Sequence, residues 1–151
     1  MNKKIIENGL IKTVLYVYLK YPWHNYVHIL ISQMVARIVE KDVFRLKKTL
    51  FLESDIVSVL SKSIDANSAY HSENGANLGS KVHTFRMIHC IKLQAQKDET
   101  VQHFCGRSEK WKDCLRFFVQ SQEIYAKKIG DANIDCLMNN RRRDYGNVYF
   151  G

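Results

Sequence analysis

The chain has 151 residues and a mass of 17.7 kDa, which is one domain or part of a longer array. Hydrophobic residues make up 46% and charged residues 25%, so disorder is excluded for most of the chain, and a core can form without staples. One proline and seven glycines are too few for a β-sandwich or barrel, which needs a turn about every 8–12 residues, and the net charge of +8 is spread along the chain. The basic excess is three in residues 1–75 and five in residues 76–151, and Arg141-Arg142-Arg143 is the one basic run. A dispersed excess reads first as a solvated surface, though it also permits acidic partners such as nucleic acid or an acidic protein face.

The first apolar pattern runs from Ile5 to Leu19. Ile6, Leu10, Ile11, Val14, Leu15, Tyr18 and Leu19 recur at three- and four-residue steps, the stripe of an amphipathic helix. Gly9 weakens its first turns, and Pro22 stops it by driving the preceding residue out of the helical region. A second helix is predicted from His24 to Val39, with Val27, Leu30, Ile31, Met34, Val35 and Ile38 inward. The short link Tyr21-Pro22-Trp23 predicts antiparallel packing of the two. Asp42 to Ser54 reads as one short helix, and Ser54-Asp55 as the start of another before Ile56, Val57, Val59, Leu60 and Ile64.

Residues 66–78 are small and polar and are expected to form the one substantial loop. A further helix is predicted from Ser80 to Lys97, with Val82, Phe85, Ile88 and Ile91 inward. Asp98 to Ser108 reads as a polar connector. The last main helix runs from Glu109 to Ile129, with Trp111, Cys114, Leu115, Phe118, Tyr125 and Ile129 on one side, Ser108 at its N-cap and Gly130 just past its end. Residues 131–151 are expected to form a poorly ordered basic tail beyond a helical domain of residues 1–130. The class is therefore all-α, with about five antiparallel helices. Two architectures fit: a closed helical bundle, or one to two units of an α-solenoid without a visible internal repeat.

The chemistry-bearing patterns are absent from the sequence. It has no G-x-S-x-G, no phosphate-cradling G-x-x-x-x-G-K-[ST], no G-x-G-x-x-G and no H-E-x-x-H. Among His83, His89, Cys90, His103, Cys105 and Cys114 the one close pair is His103-x-Cys105, with no second pair at a zinc spacing. The expectation is no catalytic residue, no metal and no cofactor, with the cysteines acting as small buried hydrophobes. No stretch approaches the roughly 18 apolar residues of a membrane span, and Glu7 and Asn8 interrupt any signal-like N-terminus. Scattered cysteines without C-x-x-C pairs predict reduced thiols in the cytoplasm, with the nucleus as a second compartment.

The most unusual string is Tyr21-Pro22-Trp23-His24-Asn25-Tyr26-Val27-His28. Read physically, Trp23 would plug the corner between two helices and Asn25 would cap the second. The string also resembles the SAPS-domain family, regulatory subunits of type-2A-like protein serine/threonine phosphatases of the phosphatase-6 kind. That family carries an aromatic-x-Trp-Asn-Asn-Phe-Leu-His stretch before an apolar helix. Trp23, Asn25, Tyr26 and His28 match or nearly match it, while His24 and Val27 depart. Leu50-Phe51 with Ile56-Val57 and Val59-Leu60, then Asn77-Leu78-Gly79, then Trp111 with Cys114-Leu115, resemble later family stretches in the same order. Ser80-Lys81-Val82 stands where the family continues His-Leu-Thr.

The resemblance covers residues 15–128 loosely and implies a HEAT- or armadillo-like α-solenoid, of which this chain would be a C-terminal fragment or a shortened form. An isolated end piece of that kind should expose an apolar face around Ile6, Leu10, Val14 and Tyr18. The function it implies is a non-catalytic regulatory or scaffold module. Such a module would bind a phosphatase-6-type catalytic subunit and direct it to substrates. Trp23, Asn25, Tyr26, His28 and Trp111 are the candidate interaction or structural anchors. The alternative from charge alone is a basic helical nucleic-acid-binding domain, against which the dispersion of the basic residues argues.

Overall fold

The computed structural model describes residues 9–75 and 78–129, with side chains to residue 124. Among the described residues every regular element is helical: α1 Leu10–Lys20, α2 Asn25–Glu40, α3 Phe44–Lys48, a π-helical turn Thr49–Glu53, α4 Ile56–Asn74, α5 Ser80–Ala95, α6 Glu99–Gly106 and α7 Lys110–Ile129. Contacts divide the chain into Met1–Phe117 and Phe118–Gly151. Of the second unit, only the end of α7 lies within the described residues. The tail expected at residues 131–151, Gly130, and the first residues of the predicted N-terminal helix lie outside them.

In the first unit α5 is central, with α2, α4 and α6 packed against it, while α1 packs on α2, α4 and the π turn. Leu15, Val35, Leu50, Ile56, Leu60, Met87, Ile88 and Ile91 are wholly buried and form the apolar core. Each such side chain contributes roughly 1.5–3 kcal/mol by leaving water.

The predicted first helix loses Gly9 to its cap. Gly9 stands in the left-handed conformation (φ +59°), and its carbonyl accepts from Thr13 N at 3.1 Å. Ile11, Leu15 and Tyr18 face inward, so the expected exposed apolar face is narrower than predicted: Leu10 is exposed and Val14 half-buried, but Tyr18 is fully buried. Before Pro22 the chain leaves the helix at Tyr21, and a turn from Tyr21 O to His24 N (3.1 Å) aims it into α2.

The buried face of α2 is also rotated from the expected one. His28, Ile31, Val35, Ile38 and Val39 are buried, whereas Leu30 is exposed and Val27 and Met34 are half-buried. The two faces differ by one residue on the helix surface, and the position of α5 decides between them. Val82, predicted inward on α5, is likewise exposed.

Two loop predictions are corrected. Residues 66–74 continue α4 in place of beginning a loop, and the break falls at Gly75, whose φ of +67° forms a left-handed cap with N bonded to His71 O at 2.8 Å. The small polar residues stay helical because α4 packs against α1 and α5, with Ser63 and Asn67 buried, and their polar side chains are satisfied by bonding back onto the helix. Ser68 Oγ donates to Ile64 O, Asn67 Nδ2 to Ser63 O and Asn74 Nδ2 to Tyr70 O. The connector expected at 98–108 contains α6, started by Asp98, which accepts from Thr100 N (2.8 Å) and Val101 N (3.3 Å).

The predicted start of α4 is where expected. Asp55 caps it, accepting from Ser58 N (3.2 Å) and Ser58 Oγ (2.6 Å), itself at a left-handed φ of 47°. The short helix expected over 42–54 is split into α3 and the π turn, closed by Ser54 N to Thr49 O at 2.9 Å. On α7, Trp111, Cys114 and Phe118 are buried and Leu115 is half-buried, as their spacing predicts. The Tyr125 and Ile129 side chains lie outside the described residues.

Candidate functional site

The corner between α1 and α2 carries a cluster of outward aromatics. Tyr16, Tyr21, Trp23 and Tyr26 are all exposed, Trp23 by 58% and Tyr26 by 63%. The helical period explains the grouping. Tyr16 lies on the solvent face of α1, opposite Leu15 and Tyr18, while Tyr26 begins the solvent face of α2 that continues to Leu30. The Lys20 ammonium sits 5.8 Å from the Tyr16 ring centre and 5.4 Å from the Tyr21 ring centre. Trp23 meets the Tyr70 ring of α4 edge-on, with centroids 5.4 Å apart. Its backbone and indole also press on Gly79, where an added Cβ would lie 3.2 Å from Pro22 O and 3.5 Å from Trp23 Cε3.

Beneath this corner lies a buried polar cluster. The His28 ring packs between Tyr18 (centroids 4.6 Å apart) and His83 (5.6 Å). Asn25 Oδ1 reaches His83 Nε2 at 2.7 Å and so ties the start of α2 to α5. The Tyr18 hydroxyl bonds the Thr84 hydroxyl at 2.7 Å and donates to Ser80 O at 3.1 Å, while Ser63 Oγ meets Thr84 Oγ1 at 2.7 Å. Asn67 accepts from Leu78 N at 3.2 Å and holds the segment entering α5. Seven side chains from α1, α2, α4 and α5 thus brace the corner from below. Burial pushes the Tyr18 phenol up to about 12, against the opposing pull of the Thr84 and Ser63 hydroxyls.

Both imidazoles are held neutral. Burial lowers His83 to about 4, helped by the nearby Arg86 charge and by the repulsion a protonated His28 would add. His28 is lowered by burial, opposed by the carbonyls of Tyr18 and Tyr21, which lie near its ring without meeting hydrogen-bond geometry. Both His28 ring nitrogens and His83 Nδ1 are buried without a hydrogen-bond partner.

Four of the five predicted residues come together here. Trp23, Asn25, Tyr26 and His28 share the corner, and the local roles expected of Trp23 and Asn25 are corrected. Trp23 lies across the outside of the corner and does not plug it. Asn25 does not cap α2: His24 occupies the cap without a side-chain bond, and Asn25 instead bonds His83. Among the described residues Tyr26 is the most exposed of the large apolar and aromatic side chains, and His28 is fully buried. Trp111 sits on α7, largely buried, and among the described residues no hydrogen bond or ring contact joins it to the other four.

The sequence reading missed Tyr16 and Tyr21 as surface residues and Tyr18, His83, Thr84, Ser63 and Asn67 as their support. The signal available was a polar residue set into each apolar stripe: Ser63 and Asn67 four apart on α4, Ser80 and Thr84 four apart on α5.

Elsewhere, burial pushes the Cys105 and Cys114 thiols up to about 12, with Cys114 at 4.0 Å from Val57 O. Thiols in that state are poor nucleophiles and poor ligands. Among the described residues no group of three His, Cys, Asp or Glu is placed to hold a metal ion, and no helix is long and apolar enough to cross a membrane.

A family model described as SAPS, SIT4 phosphatase-associated protein, matches residues 1–125. No curated protein and no solved structure matches the chain. The family match takes in the aromatic corner, its polar support and every helix through most of α7, and the chain belongs to the SAPS family of phosphatase-associated proteins.

Proposed function

We propose that the chain is a non-catalytic regulatory or scaffold module that binds a protein serine/threonine phosphatase catalytic subunit of the phosphatase-6 type and directs it toward substrates. The observation that carries this reading is the family match over residues 1–125, joined to an exposed aromatic corner inside that span. Four outward aromatics braced by a buried polar cluster have the character of a binding hot spot: rigid, apolar and rich in Tyr and Trp. The neutral, deeply buried imidazoles and high thiol pKa values support a module without chemistry of its own.

The helix pairing supports the solenoid reading. α1 packs on α2 and α4 packs on α5, and the two pairs meet through α1 with α4 and α2 with α5. Two stacked helical hairpins produce that pattern. The proposed compartment is the cytoplasm, with the nucleus second.

A pull-down of the chain with a phosphatase-6-type catalytic subunit, at about 50 and about 300 mM salt, tests the reading, with duplex DNA as a parallel arm. Saturable phosphatase binding that survives the higher salt, and that weakens about tenfold or more in Tyr26→Ala, is the expected result. No phosphatase binding, with DNA retention that collapses at the higher salt, overturns it in favour of nucleic-acid binding.

A further inference from the structure

A second surface, away from the aromatic corner, has the features of a peptide site. A groove runs between α3 with its π turn on one side and α6 on the other. Its floor is Phe104, stacked on Phe51 with centroids 5.7 Å apart and planes at 29°. Phe44, at 6.1 Å from Phe104, stands on the groove wall and is 61% exposed; Leu52, on the π turn of the same wall, is 40% exposed.

Two features set this groove apart from a chance apolar patch. The first is its rigidity. The buried ammonium of Lys47 on α3 pairs with Asp98, which also caps α6, so one carboxylate fixes both walls. The π turn then sends Leu50 and Phe51 into the core and leaves Leu52 on the groove, and such turns recur at functional sites. The second is charge. Lys48 and Arg107 flank the apolar strip, His103 adds a third nitrogen donor, and Glu99 is the one acidic lining residue. Among the described residues neither Lys48 nor Arg107 has an ion-pair partner. Two unpaired cations beside two exposed apolar side chains complement one kind of occupant.

We infer that this groove docks a short acidic segment of a partner protein, one that presents a large apolar side chain between carboxylates. The apolar side chain packs on Phe44, Leu52 and Phe104, and the flanking carboxylates meet Lys48 and Arg107. The inference stands apart from the phosphatase reading, because it rests on a different surface and on no residue of the aromatic corner.

The test is fluorescence anisotropy on the whole chain. The probe is a fluorescein-labelled octapeptide with a phenylalanine-leucine centre between three glutamates on each side. Saturable binding is expected, weakened about tenfold or more when alanines replace the centre or lysines replace the glutamates. Phe44→Ala and the double variant Lys48→Glu with Arg107→Glu should each weaken it by about tenfold, and circular dichroism should show both folded, since all three side chains lie at the surface. Absence of saturable binding overturns the inference. So does equal binding of the lysine-flanked peptide, or binding indifferent to both variants. Displacement of the peptide by duplex DNA at low salt, with no dependence on the apolar centre, would reassign the groove to nucleic acid and also overturn it. None of these outcomes bears on the phosphatase pull-down.

Discussion

His28 and His83 are the residues whose surroundings depart furthest from their sequence context. Neither carries a carboxylate partner, and three of their four ring nitrogens are buried without a hydrogen bond. Tyr18 and Asn25 face them from α1 and α2, His24 lies near His28, and Arg86 lies near His83. Protonating either ring inside the fold puts an unpaired charge in the core, so both are lowered from their ordinary value of 6.5. The native state therefore binds fewer protons than the unfolded chain below pH 6.5. The stabilisation is complete above that value and is lost as pH falls from 6.5 toward about 4, where His83 titrates in the fold. Urea unfolding at pH 7 and pH 5 should show a loss of about 2 kcal/mol from His83 alone, with His28 adding to it. Asp98, held low chiefly by Lys47, adds its own loss only below its ordinary value of 3.8. A flat profile between pH 7 and pH 5 would contradict the buried neutral pair.

Among the elements, α6 depends most on one side chain. Asp98 caps its first turn and neutralises Lys47, whose side chain is 3% exposed. Asp98→Ala removes the cap and leaves a buried cation unpaired, so it should cost about 3 kcal/mol. Lys47→Met should cost about 1 kcal/mol or less, because Asp98 keeps its cap and the new side chain suits a buried site. Equal losses in the two variants, measured by denaturant midpoint, would show that the ion pair, lost in both, and not the cap, lost only in Asp98→Ala, governs. The turn into α5 is tested through glycine. Gly79→Ala pushes a methyl against the Pro22 carbonyl at 3.2 Å and should lower stability by about 1 kcal/mol, whereas Gly106→Ala meets nothing within 4 Å and should raise it by about 0.5 kcal/mol.

At the scale of the molecule the two tryptophans should behave as opposites. Trp23 is mostly exposed and contributes chiefly its edge contact with Tyr70, so Trp23→Ala should leave the fold intact at a cost of about 1 kcal/mol while weakening phosphatase retention. Trp111 is 8% exposed, and Trp111→Ala should cost about 3–5 kcal/mol through the cavity it opens. Thermal melts beside the pull-down separate the two. A Trp23→Ala chain that binds as the parent does would remove Trp23 from the docking surface.

Helix content and the breaks at Pro22 and Asp55 were legible from the sequence because they depend on local chemistry. Apolar spacing, a proline's fixed ring and a capping carboxylate act within a few residues. The family was legible too, since its signature string is continuous from Tyr21 to His28. Only the tertiary structure decided which face of α2 and α5 turns inward, because adjacent stripes of similar hydrophobicity differ by contacts with distant helices. It alone decided that residues 66–74 stay helical, as Asn67 gains partners from Ser63 and from Leu78 beyond the helix end. It likewise separated Trp23 from Trp111. Both are large aromatics beside helix starts, and burial is a property of what packs over a residue, which no local pattern contains.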